Sequence, residues 1–203
     1  MFYWKADQYP LRNFTLFIAI LLCLSACNGN RMEVRLYPID SLVTAQIVSL
    51  TELKAELHKE AVMAGKMDSS TYTPKDSLAW ADELDIFRQL EVMNKPVSQA
   101  SYMIDDSLYD PGSNLTVKAF TSTTDLPVRH LRVYYSHSLM HPRKIEAHYK
   151  EQNALYQSSR MLLLEFQQVN NRTVLTSYSI EGGQKMILGD SVVFSVKGKI
   201  LID

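Results

Sequence analysis

The sequence predicts an α+β domain in which an N-terminal helical hairpin packs on an antiparallel meander of about seven strands, curved toward a half-barrel. Three observations predict it. Apolar residues recur at helical spacing between Ser41 and Asn94, the period changes to two after Pro96, and turn-forming residues then punctuate the chain to its end. No internal repeat or low-complexity tract interrupts this order, so residues 41–203 read as one domain.

The first helix is expected over Ser41–Met63. Asp40 and Ser41 offer capping oxygens, and Val43, Ile47, Leu50, Leu57 and Ala61 share a face while Glu52, Lys54, Glu56, Lys59 and Glu60 occupy the rest. Gly65 ends it, and 64–73 reads as a polar link. Thr73-Pro74 resembles a cap followed by proline at the first helical position, which opens a second helix over 74–94 with Leu78, Trp80, Leu84, Phe87 and Leu90 on its apolar side. Lys95-Pro96 stops it.

The strands follow. Tyr102–Tyr109 and Leu115–Thr121 flank Asp110-Pro111-Gly112-Ser113-Asn114, a hairpin turn. Leu131, Val133 and Tyr135 alternate with His130, Arg132 and Tyr134; Ile145, Ala147 and Tyr149 alternate with Lys144, Glu146 and His148, so one face is buried and the other wet. Leu155–Val169 and Arg172–Ile180 flank Asn170-Asn171, a pair suited to positive φ. Both strands are apolar on both faces, which calls for something to cover the second face: helices, a ligand or a partner. Gly182-Gly183 reads as a bend, and 186–188 with Val192–Ile202 close the sheet.

Lys plus Arg number 21 against 22 Asp plus Glu. This balance offers no basic face for nucleic acid, which is not expected as a partner. The only cysteines are Cys23 and Cys27, so residues beyond Cys27 contain no disulfide.

No catalytic, cofactor or metal site is expected. His130, His137, His141 and His148 lie close in sequence, but His130 and His137 differ by an odd number and belong on opposite faces of a strand. His130 and His148 are placed to meet across neighbouring strands on the wet face. Asp105, Asp106 and Asp110 surround a turn without the spacing of a calcium loop. Neither a Gly-x-Ser-x-Gly elbow nor a phosphate loop occurs. Tyr102, Tyr109, Tyr134, Tyr135, Tyr149, Tyr156 and Tyr178 fall on strands, where tyrosine packs on a half-buried pleat and leaves its hydroxyl at an edge.

The start of the chain carries an address. Met1–Asn13 is polar with Lys5 and Arg12, and an apolar run of eleven residues, Phe14–Leu24, precedes Ser25-Ala26-Cys27. A spanning helix needs about 20 apolar residues, so this order is that of a cleaved secretory signal. Leu24-Ser25-Ala26-Cys27 resembles the lipobox of bacterial lipoproteins. The resemblance implies a signal peptide over 1–26, cleavage between Ala26 and Cys27, acylation of Cys27, and a tether over 27–40. Two or more acyl chains would then hold the protein stably on a membrane. Asn28 follows the cysteine where inner-membrane retention in enteric bacteria favours aspartate, which points to the periplasmic face of the outer membrane.

The order of elements, with apolar residues on both faces of the sheet, also loosely resembles the periplasmic lipoprotein-carrier and lipoprotein-receptor group, whose curved sheet holds acyl chains against helices. The functional expectation is therefore a non-catalytic envelope lipoprotein that binds a hydrophobic ligand or lipid in the concavity of its sheet, with Met161, Leu162, Leu163, Leu164, Phe166 and Tyr178 facing the ligand. A scaffold or interaction lipoprotein of an envelope complex is the alternative, and a hydrolase without a recognisable motif is the third. The first requires a sizeable apolar cavity between sheet and helices; the second requires an exposed apolar patch or an unpaired edge strand.

Overall fold

A computed structural model describes residues 35–170, 172–186 and 189–202. The signal segment, the cleavage site at Ala26 and Cys27, most of the tether, Asn171 and residues 187–188 lie outside these.

The chain runs α1 (Ile39–Glu52), β1 (Glu56–Met63), β2 (Lys66–Tyr72), α2 (Ser77–Arg88), a 3-10 turn (Gln89–Asn94), the short α3 (Pro96–Gln99), and then β3 (Tyr102–Asp110), β4 (Leu115–Ser122), β5 (Val128–Tyr135), β6 (Pro142–Gln152), β7 (Tyr156–Val169), β8 (Arg172–Met186) and β9 (Ser191–Leu201). All nine strands form one antiparallel sheet of order β2-β1-β9-β8-β7-β6-β5-β4-β3, which does not close, so β2 and β3 are edges. The fold is mixed and mostly antiparallel sheet, with a few helices.

The seven strands expected after Pro96 are present as β3–β9, and two more come from the stretch read as helix and link. The predicted helix over 41–63 ends at Glu52 because the backbone turns left-handed at Lys54, with φ 51°. Lys54 N–H donates to the Thr51 carbonyl at 3.2 Å and Ala55 N–H to the Leu50 carbonyl at 3.1 Å, which is the paired pattern of a Schellman cap. Past it, Leu57 points into the core from β1 and Ala64 and Gly65, both at positive φ, make the tight turn into β2. Gly65 therefore turns a hairpin and does not end a helix. The expected helical hairpin becomes two helices separated in sequence by a β-hairpin.

Helix α1 buries Ile39, Val43, Gln46, Ile47 and Leu50. It starts two residues earlier than predicted and its N-terminus is capped from outside: Asp40 N–H donates to Glu91 Oε2 at 3.1 Å, and Asp40 itself pairs with Arg88 at 3.4 Å. The second helix begins later than predicted, at Ser77, because Asp76 caps it by accepting from Ala79 N–H at 3.0 Å. Buried Asn94 then ties the chain entry to the core: its Oδ1 accepts from Leu36 N–H at 2.8 Å, and its amide donates to the Tyr37 carbonyl at 2.7 Å.

Register decides which side chains share a face. Phe120, Leu131, Ala147, Leu162, Ile180 and Val196 are successive cross-strand partners from β4 to β9, forming an apolar row beneath the helices. Trp80, Leu84 and Phe87 of α2 and the apolar side of α1 belong to the same core. Gly182-Gly183 is not a bend: both residues pair within β8. At Gly182 a Cβ would meet the backbone carbonyl of Ser159 and the Phe194 ring, so the glycine permits a close strand approach.

Candidate functional site on the uncovered face of the sheet

The six side chains expected to face a ligand do not converge. Leu162, Leu164, Phe166 and Tyr178 are buried on the helix side; Met161, half exposed, and Leu163 lie on the opposite side. Leu162, Leu164 and Phe166 share the inner side by simple alternation, and a bulge in β8, where pairing slips from Glu165↔Ser177 to Phe166↔Leu175 and leaves Thr176 unmatched, brings Leu175 opposite Phe166. The slip also lets the consecutive Val174 and Leu175 both be buried, which is why this stretch reads as apolar on both faces.

The space those residues were expected to line is full. Trp80 and Phe87 are wholly buried in it, and the gap bounded by Leu42, Val43, Gln46, Leu84, Phe87, Leu164, Phe166 and Leu175 holds about 10 Å³. That is about the room of one water. Gln46 spans the gap's edge, donating to the Thr173 carbonyl at 3.1 Å and accepting from Leu175 N–H at 2.8 Å.

Tyr178 shows how tightly the helices are held. Its ring lies across Gly198 of β9, meets Phe87 edge-on with centroids 5.8 Å apart, and its hydroxyl donates to Glu83 of α2. Glu83 also accepts from Lys59 Nζ at 2.7 Å and from Tyr72 Oη at 3.2 Å. One nearly buried carboxylate thus joins α2 to β1, β2 and β8. Burial first, and the hydrogen bond and charge of Glu83 next, push the Tyr178 hydroxyl far above the ordinary tyrosine range.

The opposite face, uncovered among the described residues, is laid out in polar rows. One row across β5, β6, β7, β8, β9 and β1 reads Arg132, Glu146, Leu163, Ser179, Lys197 and Glu60; its neighbour reads Tyr134, Lys144, Glu165, Ser177, Lys199 and His58. Opposite charges meet across and along strands: Lys144 Nζ is 2.8 Å from Glu146, and Tyr134 Oη donates to Glu146 at 2.6 Å. Burial works to raise the Glu146 carboxyl, but the bonds from Lys144 and Tyr134 and the charges of Lys144 and Arg132 outweigh it and hold it below the ordinary range. The Tyr134 hydroxyl is pushed up to about 12 by burial and then by Glu146. Over β7, β8, β9 and β1 this face opens a groove of about 1170 Å³, with Leu163, Ser177 and Ser179 among its floor residues and His58, Glu60, Arg143, Glu165, Glu181, Lys197 and Lys199 around them. Its charges come in both signs, which suits a partner of mixed charge more than a uniformly anionic one.

Of His130, His137, His141 and His148 only the first and last lie on strands, so the opposite-face expectation for His137 does not apply. His130 and His148 are direct cross-strand partners on the uncovered face with stacked rings 6.2 Å apart, while His137 and His141 lie in the connection between β5 and β6. His148 Nε2 meets Ser159 Oγ at 2.9 Å. Burial first, then the charges of His130, Arg129 and Lys150, lower the affinity of this imidazole for a proton. Among the described residues no group of three or more His, Cys, Asp or Glu is placed to hold a metal ion. Asp110 accepts from Gly112 N–H at 3.3 Å and from Ser113 Oγ at 2.5 Å, so the acidic turn hydrogen-bonds to its own residues.

No described helix is long and apolar enough to cross a membrane. Comparisons with family models, with curated proteins and with solved structures found no match for the chain.

Proposed function

We propose that this chain is a non-catalytic lipoprotein of the bacterial envelope, anchored by acyl chains on Cys27 at the periplasmic face of the outer membrane, that serves as an interaction component of an envelope complex. The observation that carries the second half of this reading is the filled space between sheet and helices, set against an open groove of about 1170 Å³ on the other face. A ligand lodged in the concavity would have to displace Phe87 and separate Glu83 from Tyr178, which speaks against a standing hydrophobic pocket there. The groove instead offers charged rims and a serine-lined floor to a protein or another polar envelope constituent.

Two measurements test the two halves separately. Metabolic labelling with an alkyne fatty acid should mark the wild-type protein and not Cys27→Ser; label retained by the variant removes the acyl anchor from the reading. A photo-activated crosslinker at Ser179 in intact cells should give a discrete adduct that Lys197→Glu with Lys199→Glu abolishes. The same adduct from a crosslinker at Leu78, on the exposed side of α2, would show that the groove is not the contact.

A further inference from the structure

We infer that the end of the sheet formed by the β1–β2 turn and the adjoining ends of β8 and β9 dips into the hydrocarbon of a lipid surface. Antiparallel pairing puts these strand ends together, and they carry large apolar side chains in the open: Met63 is 61% exposed, Met67 65% and Val193 70%, with Val62, Met186 and Val192 also exposed. Register divides them between the two faces. Met63, Val192 and Met186 share the helix side with Phe194 and border a cleft of about 370 Å³. Val62, Met67 and Val193 lie on the other side.

The two-sidedness selects the occupant. These six side chains expose on the order of 500 Å² in all, as much as the largest apolar patch of a typical monomer, gathered at one end of the sheet. Split between two faces, each share falls well short of the roughly 800 Å² per partner of a stable protein interface, a second copy included. Hydrocarbon wets both faces of a hairpin end at once. Charge at this end is balanced, Lys66 and Lys185 against Asp68 and Asp190, all exposed, which fits neutral lipid and binding that salt leaves unchanged. Methionine, unbranched and polarisable, suits contact with a disordered apolar phase. The inference does not require acylation of Cys27.

Tyr37 near the start of the described chain donates to the Leu139 carbonyl in the β5–β6 connection, at the other end of the strands. Fourteen residue steps of β8 separate the two ends, roughly 46 Å. A probe at the β5–β6 connection therefore serves as the internal reference.

The test uses the full chain with Cys23→Ser and Cys27→Ser, reconstituted with phosphatidylcholine vesicles, and one polarity-sensitive fluorophore at Val193→Cys or, as reference, at Met140→Cys. The Val193 probe should shift to the blue and be quenched by nitroxide-labelled acyl chains at least threefold more than the Met140 probe. Met67→Asp should remove that difference, and 0.5 M salt should not. Equal quenching at both positions would overturn the inference. So would a blue shift at Val193 that appears without vesicles and fades on dilution, since the strand ends would then be covered by a second copy.

Discussion

Replacing Gly198 by alanine should cost about 3 kcal/mol of stability, a loss that follows from where Tyr178 lies. An alanine Cβ at this position would overlap the edge of the Tyr178 ring at Cε1, Cζ and Oη. Two responses are open. The strands can part, which breaks the ladder between β8 and β9, or the ring can swing away. Swinging gives up the edge contact with Phe87, worth about 0.5–1.5 kcal/mol, and the hydrogen bond to the Glu83 carboxylate, worth about 1.5–3 kcal/mol. Swinging therefore costs about 2–4.5 kcal/mol, a large part of the roughly 5–15 kcal/mol that holds a domain folded. Without a clash, glycine to alanine within a strand would stabilise by about 0.5–1 kcal/mol. Urea unfolding followed by Trp80 fluorescence measures the difference, with an unchanged slope on denaturant indicating that only stability moved. A double-mutant cycle supplies the decisive control: in a Tyr178→Ala background the cost of Gly198→Ala should fall below about 0.5 kcal/mol. A loss under about 0.5 kcal/mol in the wild-type background, or an equal loss in both backgrounds, would refute the reasoning.

Two further predictions concern the cap after α1 and the histidine pair. Lys54→Gly should raise stability by about 0.5–1 kcal/mol, because Lys54 holds φ 51° at a cap position that glycine adopts without strain; a loss measured by thermal melting would contradict the Schellman assignment. His148 binds protons less readily folded than unfolded, so its contribution is present above the ordinary histidine value of 6.5 and is lost as pH falls through the lower folded value. His148→Gln should flatten the fall of Tm on acidification below pH 6.5, and an unchanged slope would show that this group does not titrate with folding.

The strands after Pro96 were legible because burial on one face writes a period of two into the sequence, as in Leu131, Val133, Ile145 and Ala147. The cross-strand meeting of His130 and His148 followed from the same parity. The stretch from Leu53 to Tyr72 was not legible. Leu57 and Ala61 are four apart, which fits a helix face and also alternate positions of a strand, so periodicity over so short a run does not choose. The left-handed residue that ends α1 is a lysine, which carries no signal, and β2 is exposed along its whole length, which leaves no alternation to read. Gly65 and Gly182 were visible as glycines; that one turns a hairpin and the other admits a neighbouring backbone depends on strands distant in sequence.

The uncovered face shows the same limit at the candidate site. Consecutive residues of a strand point to opposite sides, so a run such as Met161-Leu162-Leu163-Leu164 looks like one apolar surface in sequence and is two in space. The groove joins Glu60 and His58 of β1 to Glu165 and Lys199, and β1 reaches β9 only through a pairing that spans most of the chain.

By itself the sequence determined the strand-rich second half, the Asp110–Asn114 turn, the near-neutral charge balance and the confinement of both cysteines to the first twenty-seven residues, because each is a local property of residue type and spacing. Tertiary structure decided that residues 56–72 join the sheet, that the helices fill its inner side, and that the open surface is a charged groove with an apolar strand end. Those outcomes depend on which segment supplies the missing partner: β1 finds the free edge of β9, and Trp80, Leu84 and Phe87 find the apolar row that β4–β9 together expose.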